Sequence, residues 1–268
     1  MKLYYTLANC FSIFHRYTRF MPLKIPTIIG HRGAKAYAPE NTLESIHTAA
    51  DMGCKWVELD VKLTKDSIPI IMHDDDLDRT TNGHGPVADI TYTDISNLEA
   101  GSWFSDSFAG IKIPTLEEAI EVIIKRGLGV NLEIKPCPGR EKETAEAMLD
   151  ELSQYWDDRD NLLISSFSQI SLEVAAEMAG DWYRGLLLDT DPLPNWAELA
   201  DYFEATTINI DGRSATREFV EDIMDTQRPI LAYTINDPQL ARQLRQWGVD
   251  CLFTDDPDAV NDDLLKPH

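Results

Sequence analysis

The stretch GHRGAKAYAPENTLESI (30–46) follows a short apolar run and sets His31 and Arg32 side by side in a glycine-broken loop. An imidazole next to a guanidinium is electrostatically unfavourable unless something negative lies against both. A second run, WVELDV (56–61), carries Glu58 and Asp60 two positions apart, which puts both carboxylates on one face of a strand. A third, NLEIKP, carries Glu133 and Lys135 in the same relation, and IMHDDD carries His73 and Asp74. Each group stands at or just past the end of an apolar run.

Three carboxylates brought to one water-poor place repel one another unless a cation joins them. Glu58, Asp60 and Glu133 form an all-oxygen set, which suits Mg²⁺ or Ca²⁺ better than zinc. The competing reading is ion pairing of those acids with Arg32, Lys62 and Lys135. His31 and His73 both titrate near neutrality, so one can accept a proton while the other donates one. Arg32 and Lys135 then read as ligands of a phosphate held with the metal. His15, His47, His84 and His268 show no partner pattern.

Such groups need a frame that delivers strand ends to one place. Strand patterns occur at 27–31, 56–61, 130–135, 162–167, 184–189, 206–210, 229–235 and 251–254, with amphipathic helical stretches between most of them. The run IPIIM (68–72) follows VELDV too closely for a parallel crossover, so it returns antiparallel as a hairpin. Eight βα units remain, the size of a TIM (β/α)8 barrel, with a doubly wound open sheet as the alternative. In such a barrel, functional groups project from the C-terminal strand ends. Asn41 with Glu44, and Thr115 with Glu118, have the spacing of helix capping boxes. The region of about 75–113 is too long for a plain loop and reads as a small inserted subdomain over the barrel mouth.

The chain has 268 residues and 43% hydrophobic content, enough for one sizeable core. Its 46 acidic residues against 24 basic ones disfavour nucleic acid and anionic membranes as partners. Cys10, Cys54, Cys137 and Cys251 lack CxxC spacing, which points to reduced thiols, no zinc site and a cytoplasmic setting. Residues 1–20 lack a signal-peptide pattern, and the apolar stretch before Cys10 is too short to span a membrane; they read as an appendage before a barrel domain at 25–268, with Met21 as an alternative start.

HRGAKAYAPENT, ELDVKLTKDSIPIIMHDDDLDRTTNGHG, AGSWF, IPTLEEAI, NLEIKP and FTDDP resemble the successive blocks of glycerophosphodiester phosphodiesterases, in order, from about residue 28 to 257. The resemblance implies a barrel, a divalent metal, and hydrolysis of a small-molecule glycerophosphodiester to sn-glycerol 3-phosphate and an alcohol. By position, His31 and His73 match the family's acid–base histidines, and Glu58, Asp60 and Glu133 its metal ligands. Arg32 and Lys135 fall where phosphate is contacted, and Glu40 and Asn41 match the PENT turn, with Asn41 read as a helix cap. Tyr233, in AYTIN, stands where many members have tryptophan beside the glycerol, so it is expected on the substrate side. A phospholipase-type or lyase enzyme on the same barrel, and a non-catalytic binding module, are the rival readings.

Overall fold

In β2 (Trp56–Leu63), Val57, Leu59 and Val61 alternate with Glu58, Asp60 and Lys62, and every one of the six is buried. A strand whose two faces differ in this way must have an apolar layer on one side and a polar interior on the other. The same alternation recurs in β4 (Gly129–Ile134), where Val130, Leu132 and Ile134 take the apolar face and Asn131 and Glu133 the other. The computed structural model describes Leu23 and residues 25–261; the appendage expected at 1–20 lies outside the described residues.

The remaining strands are β1 (Ile28–His31), β3 (Pro69–Ile71), β5 (Leu162–Ser166), β6 (Tyr183–Leu188), β7 (Thr207–Asp211), β8 (Ile230–Tyr233) and β9 (Cys251–Thr254). Each parallel strand bonds to its neighbours, and β1 pairs with both β9 and β2, which closes an eight-stranded parallel barrel. The open sheet is thereby excluded. β3 pairs antiparallel with β2, Val61 opposite Ile71, as the short connection requires.

Helices α1 (Leu43–Asp51), α3 (Leu116–Arg126) and α4 (Glu141–Tyr155) cover the outside of β2 and β4. Their apolar stripes, among them Ile46, Ala49, Ile120, Ile123, Met148 and Leu152, meet Val57, Leu59, Val130 and Leu132. Helices α5 (Gln169–Met178), α6 (Trp196–Tyr202), α7 (Arg217–Met224) and α8 (Pro238–Trp247) complete the outer ring. Inside the barrel, a separate cluster with Leu23, Ile29, Trp56, Leu163, Leu231 and Phe253 fills the interior. Residues 75–113 hold short helical turns, including α2 (Tyr92–Ile95), and their Leu77, Val87, Ile95 and Ile113 pack with Ile70, Met72 and Cys137.

Thr115 and Glu118 form the expected capping box at the start of α3. At α1 the expectation shifts by one residue. Thr42, extended at φ −117°, is the N-cap, and its box partner is Ser45 rather than Glu44. Asn41 has φ 58°, a left-handed conformation incompatible with the extended cap position, and its side chain turns into the barrel instead.

Gly33 explains the glycine after His31 and Arg32. It has φ +85°, and a Cβ there would lie 2.4 Å from the Ser45 hydroxyl oxygen and 2.6 Å from the Ser45 carbonyl carbon. The loop therefore folds tightly onto the first turn of α1. Gly33→Ala should cost about 1–3 kcal/mol through the strained φ alone, with the Ser45 clash adding to it. Denaturant unfolding of the variant checks this, and an unchanged midpoint would contradict it.

Candidate active site

The C-terminal ends of β1, β2, β4 and β8 open on a cavity of about 160 Å³. His31, Arg32, Glu58, His73, Glu133 and Lys135 all line it. Asp60, two residues beyond Glu58 on β2, is 1% exposed. One side-chain oxygen from each of Glu58, Asp60 and Glu133 falls within 4.8 Å of the others, and all three residues are buried. β2 supplies the first two on its inward face, and register with β4 sets Asp60 directly opposite Glu133.

Electrostatics separate the three acids. Burial, then the charges of Asp60 and Glu133, pushes Glu58 well above the usual carboxylate range. Glu133 is raised for the same reasons, burial first and Asp60 second, against the pull of Lys135. Burial also works against Asp60, but Arg32, His73, Lys135 and the Asn41 amide hold it well below that range. Buried acids that resist ionising together are what a hard divalent cation relieves, and an all-carboxylate donor set suits such an ion. Glu58, Asp60 and Glu133 therefore fit a divalent metal, and this buried triad could bind one.

The ion-pair reading accounts for part of the cluster only. Lys135 Nζ is 2.9 Å from Glu133 and 3.8 Å from Asp60, and Arg32 Nε is 3.3 Å from Asp60. Lys62 takes no part, because its buried ammonium bonds to Asp75 and to the Lys135 carbonyl instead. Among the described residues, Glu58 accepts only the backbone N–H of Arg32, at 3.0 Å, and stands 3.8 Å from His31 Nε2. Its carboxyl thus lacks the close lysine or arginine pairing that Glu133 and Asp60 have, and the Arg32 charge only partly offsets its burial.

Both histidines are held in the same way. His31 Nδ1 is 2.6 Å from Asp255, and Asp255 in turn accepts from the Asn236 amide at 2.8 Å. His73 Nδ1 is 2.6 Å from Asp74. A carboxylate on Nδ1 fixes the ring and leaves Nε2 as the nitrogen free to exchange a proton. Burial lowers the pKa of both imidazoles, and the adjacent carboxylates oppose that shift. His84 stands apart from the cavity and pairs with Asp78 at the surface, while His15 and His268 lie outside the described residues.

Arg32 lies in the cavity wall, donating Nη1 to Glu40 at 2.6 Å. Asn41, read above as a cap, clamps Asp60: its Nδ2 donates to Oδ2 at 2.8 Å, and its Oδ1 accepts the Asp60 N–H at 3.3 Å. Tyr233 lines the cavity with its ring, but its hydroxyl donates to the Leu188 carbonyl at 2.6 Å. The phenol is thus tied to the barrel wall and offers the cavity an aromatic surface.

Sequence reasoning assigned no role to Asp255, Asn131 or Phe167. Asp255 stands inside the FTDDP block, but only barrel closure brings it to His31, 224 positions away. Asn131 shares the inward face of β4 with Glu133, two residues on, and that spacing was a usable signal. Phe167, 40% exposed, packs edge-on to Tyr233 with ring centroids 5.8 Å apart, and Lys135 Nζ lies 5.4 Å from its ring centre.

A buried carboxylate triad and two carboxylate-held histidines thus stand together at the mouth of a parallel barrel. Comparison with known proteins makes this specific. The sequence profile of the glycerophosphoryl diester phosphodiesterase family matches residues 31–259. A glycerophosphodiester phosphodiesterase of Caldanaerobacter subterraneus is 34% identical over 237 residues, covering 87% of this chain and 95% of the relative. One from Bacillus subtilis is 34% identical over 249 residues, covering 87% and 84%. The solved structure of an Oleispira antarctica phosphodiesterase, in complex with the product sn-glycerol-3-phosphate, superposes with a TM-score of 0.84 at 41% identity. It covers 87% of this chain and 94% of that one. The chain belongs to the glycerophosphoryl diester phosphodiesterase family, and it is an enzyme of that kind. Among the described residues, no helix is long and apolar enough to cross a membrane.

Proposed function

We propose that this enzyme hydrolyses glycerophosphodiesters to sn-glycerol 3-phosphate and an alcohol, with His31 and His73 as its acid–base pair. The observation that carries the reading is the pairing of each histidine with a carboxylate on Nδ1, beside a buried acidic triad. The Oleispira relative, whose structure holds sn-glycerol-3-phosphate, supports the choice of product.

Glu58, Asp60 and Glu133 would hold Mg²⁺ or Ca²⁺, which neutralises phosphate charge and polarises a phosphoryl oxygen when bound. Arg32 and Lys135 bind the remaining phosphate oxygens from the cavity wall. His31 and His73 divide the proton work: one takes a proton from the attacking oxygen, and the other gives one to the departing alcohol. Tyr233 and Phe167 offer the substrate side an aromatic wall. Residues 75–113 act as a small inserted subdomain over the barrel mouth, a reading supported by the apolar cluster they share with Ile70, Met72 and Cys137. The acidic balance of 46 against 24 favours a soluble substrate in the cytoplasm over one presented by an anionic bilayer.

One observation favours a second reading, a phospholipase-type enzyme. Phe167, Ile170 and Leu193 are 40%, 50% and 51% exposed around grooves that adjoin the catalytic cavity. Turnover of glycerophosphocholine compared with lysophosphatidylcholine, over a screen of divalent metals, separates the two. The proposal expects faster turnover of the soluble diester. Preference for the lysophospholipid would establish the rival.

A further inference from the structure

We infer that Arg79, in the segment 75–113, is a positioning residue that holds His73 and Arg32 in working geometry at once. The inference rests on the roles proposed above for those two residues. Arg79 does not line the catalytic cavity, and its side chain is 44% exposed. Its guanidinium nevertheless lies between two carboxylates, each of which grips a residue that does line it.

On one side, Arg79 Nη1 donates to Glu40 Oε2 at 2.9 Å and Nη2 to Oε1 at 2.7 Å. That same Oε1 accepts from Arg32 Nη1 at 2.6 Å. On the other side, Arg79 Nε donates to Asp74 Oδ2 at 2.5 Å and Nη2 to Oδ1 at 3.0 Å. Asp74 Oδ1 is the atom that meets His73 Nδ1 at 2.6 Å. Both contacts are bidentate, and a planar guanidinium can make two such contacts where an ammonium cannot.

Each link has a consequence. Without Arg79, Asp74 loses the two bonds that fix its rotamer, so it no longer pins the imidazole or its tautomer. Glu40, whose side chain is 2% exposed, would be left with Arg32 and Lys35 as its cations, the latter 3.7 Å away. It would then draw the Arg32 guanidinium out of its present compromise with Asp60, 3.3 Å from Nε. One exposed side chain outside the barrel strands thus sets the acid–base group and the phosphate side together.

The experiment compares Arg79→Gln, Arg79→Lys, Asp74→Asn, His73→Ala and the Arg79→Gln/Asp74→Asn double variant, all metal-loaded. Turnover is read on glycerophosphocholine and on a nitrophenyl diester, with thermal stability in parallel. Loss of an outer-shell partner typically costs about 10- to 100-fold, and that fall is expected in kcat for Arg79→Gln, with a smaller change in KM. Arg79→Lys should recover little of it, since charge without the fork cannot hold both carboxylates. The double variant should be no slower than the slower single one, because both act through one chain. Arg79→Gln should also copy the leaving-group dependence of His73→Ala. Wild-type kcat in Arg79→Gln, full recovery in Arg79→Lys, or additive losses in the double variant would overturn the inference while leaving the proposed mechanism standing. Full activity in His73→Ala would remove the mechanism and the inference with it.

Discussion

His31→Ala and His73→Ala should each lose about 10²- to 10⁴-fold in kcat, the usual worth of a positioned acid or base, but the two losses should depend differently on the leaving group. Protonation matters most when the departing alcohol is a poor leaving group, such as choline or glycerol. A nitrophenol departs with little help. The variant lacking the acid should therefore be largely rescued on a nitrophenyl diester, while the variant lacking the base should stay slow on both substrates. Each imidazole is bound through Nδ1, to Asp255 or to Asp74, so each has Nε2 for this work. His31 stands beside Arg32, where a bound phosphate most directly supports a proton, which makes His73 the complementary partner. Equal losses on both substrates in both variants would contradict the division of roles and leave two histidines that only position phosphate.

Removing the metal should abolish turnover, and removing a ligand should separate activity from stability. Metal-depleted wild-type protein keeps three buried carboxylates within 4.8 Å of one another. Glu58→Gln and Glu133→Gln each delete a charge whose burial is already unfavourable. Without metal, these variants should melt no lower than metal-depleted wild type. Asp60→Asn differs, because Asp60 accepts from Asn41 and faces Arg32, and losing its charge leaves those donors poorly matched. It should lose stability as well. Adding Mg²⁺ or Ca²⁺ should raise the melting temperature of wild type, corresponding to roughly 2.7 kcal/mol at about 100-fold excess over Kd, and should raise that of the three variants much less. Full activity in chelated protein, or equal metal stabilisation of all four proteins, would contradict a metal held by this triad.

Much of the frame was legible because a parallel barrel leaves a strong imprint on sequence. β-branched runs alternate with amphipathic helices, and the five-residue connection around Asp66 forbids a parallel return for β3. Closure was not legible, since periodicity is the same in an open sheet; only the pairing of β1 with β9 decides it. The carboxylate triad was legible from the two-residue spacing of Glu58 and Asp60 in β2 and from Glu133 near the end of β4. What holds His31, His73 and Arg32 in place was not. Asp255 reaches His31 from the opposite end of the chain, and Arg79 reaches Glu40 across 39 positions. The misplaced cap at Asn41 has the same origin: its local pattern suits a helix start, but Asp60 on the neighbouring strand β2 recruits its amide. Local propensity describes the neighbours of a residue in sequence, and these contacts are made only by the closed fold.

The most direct test of the central claim is the identity of the phosphate product. Metal-loaded enzyme is incubated with glycerophosphocholine, and the products are followed by phosphorus NMR alongside a choline assay. If the two histidines and the metal act as described, glycerol 3-phosphate and choline accumulate in equal amounts, and the signal of neither appears in the His73→Ala protein on the same timescale. Release of phosphocholine and glycerol, or no turnover with either Mg²⁺ or Ca²⁺ present, would contradict it.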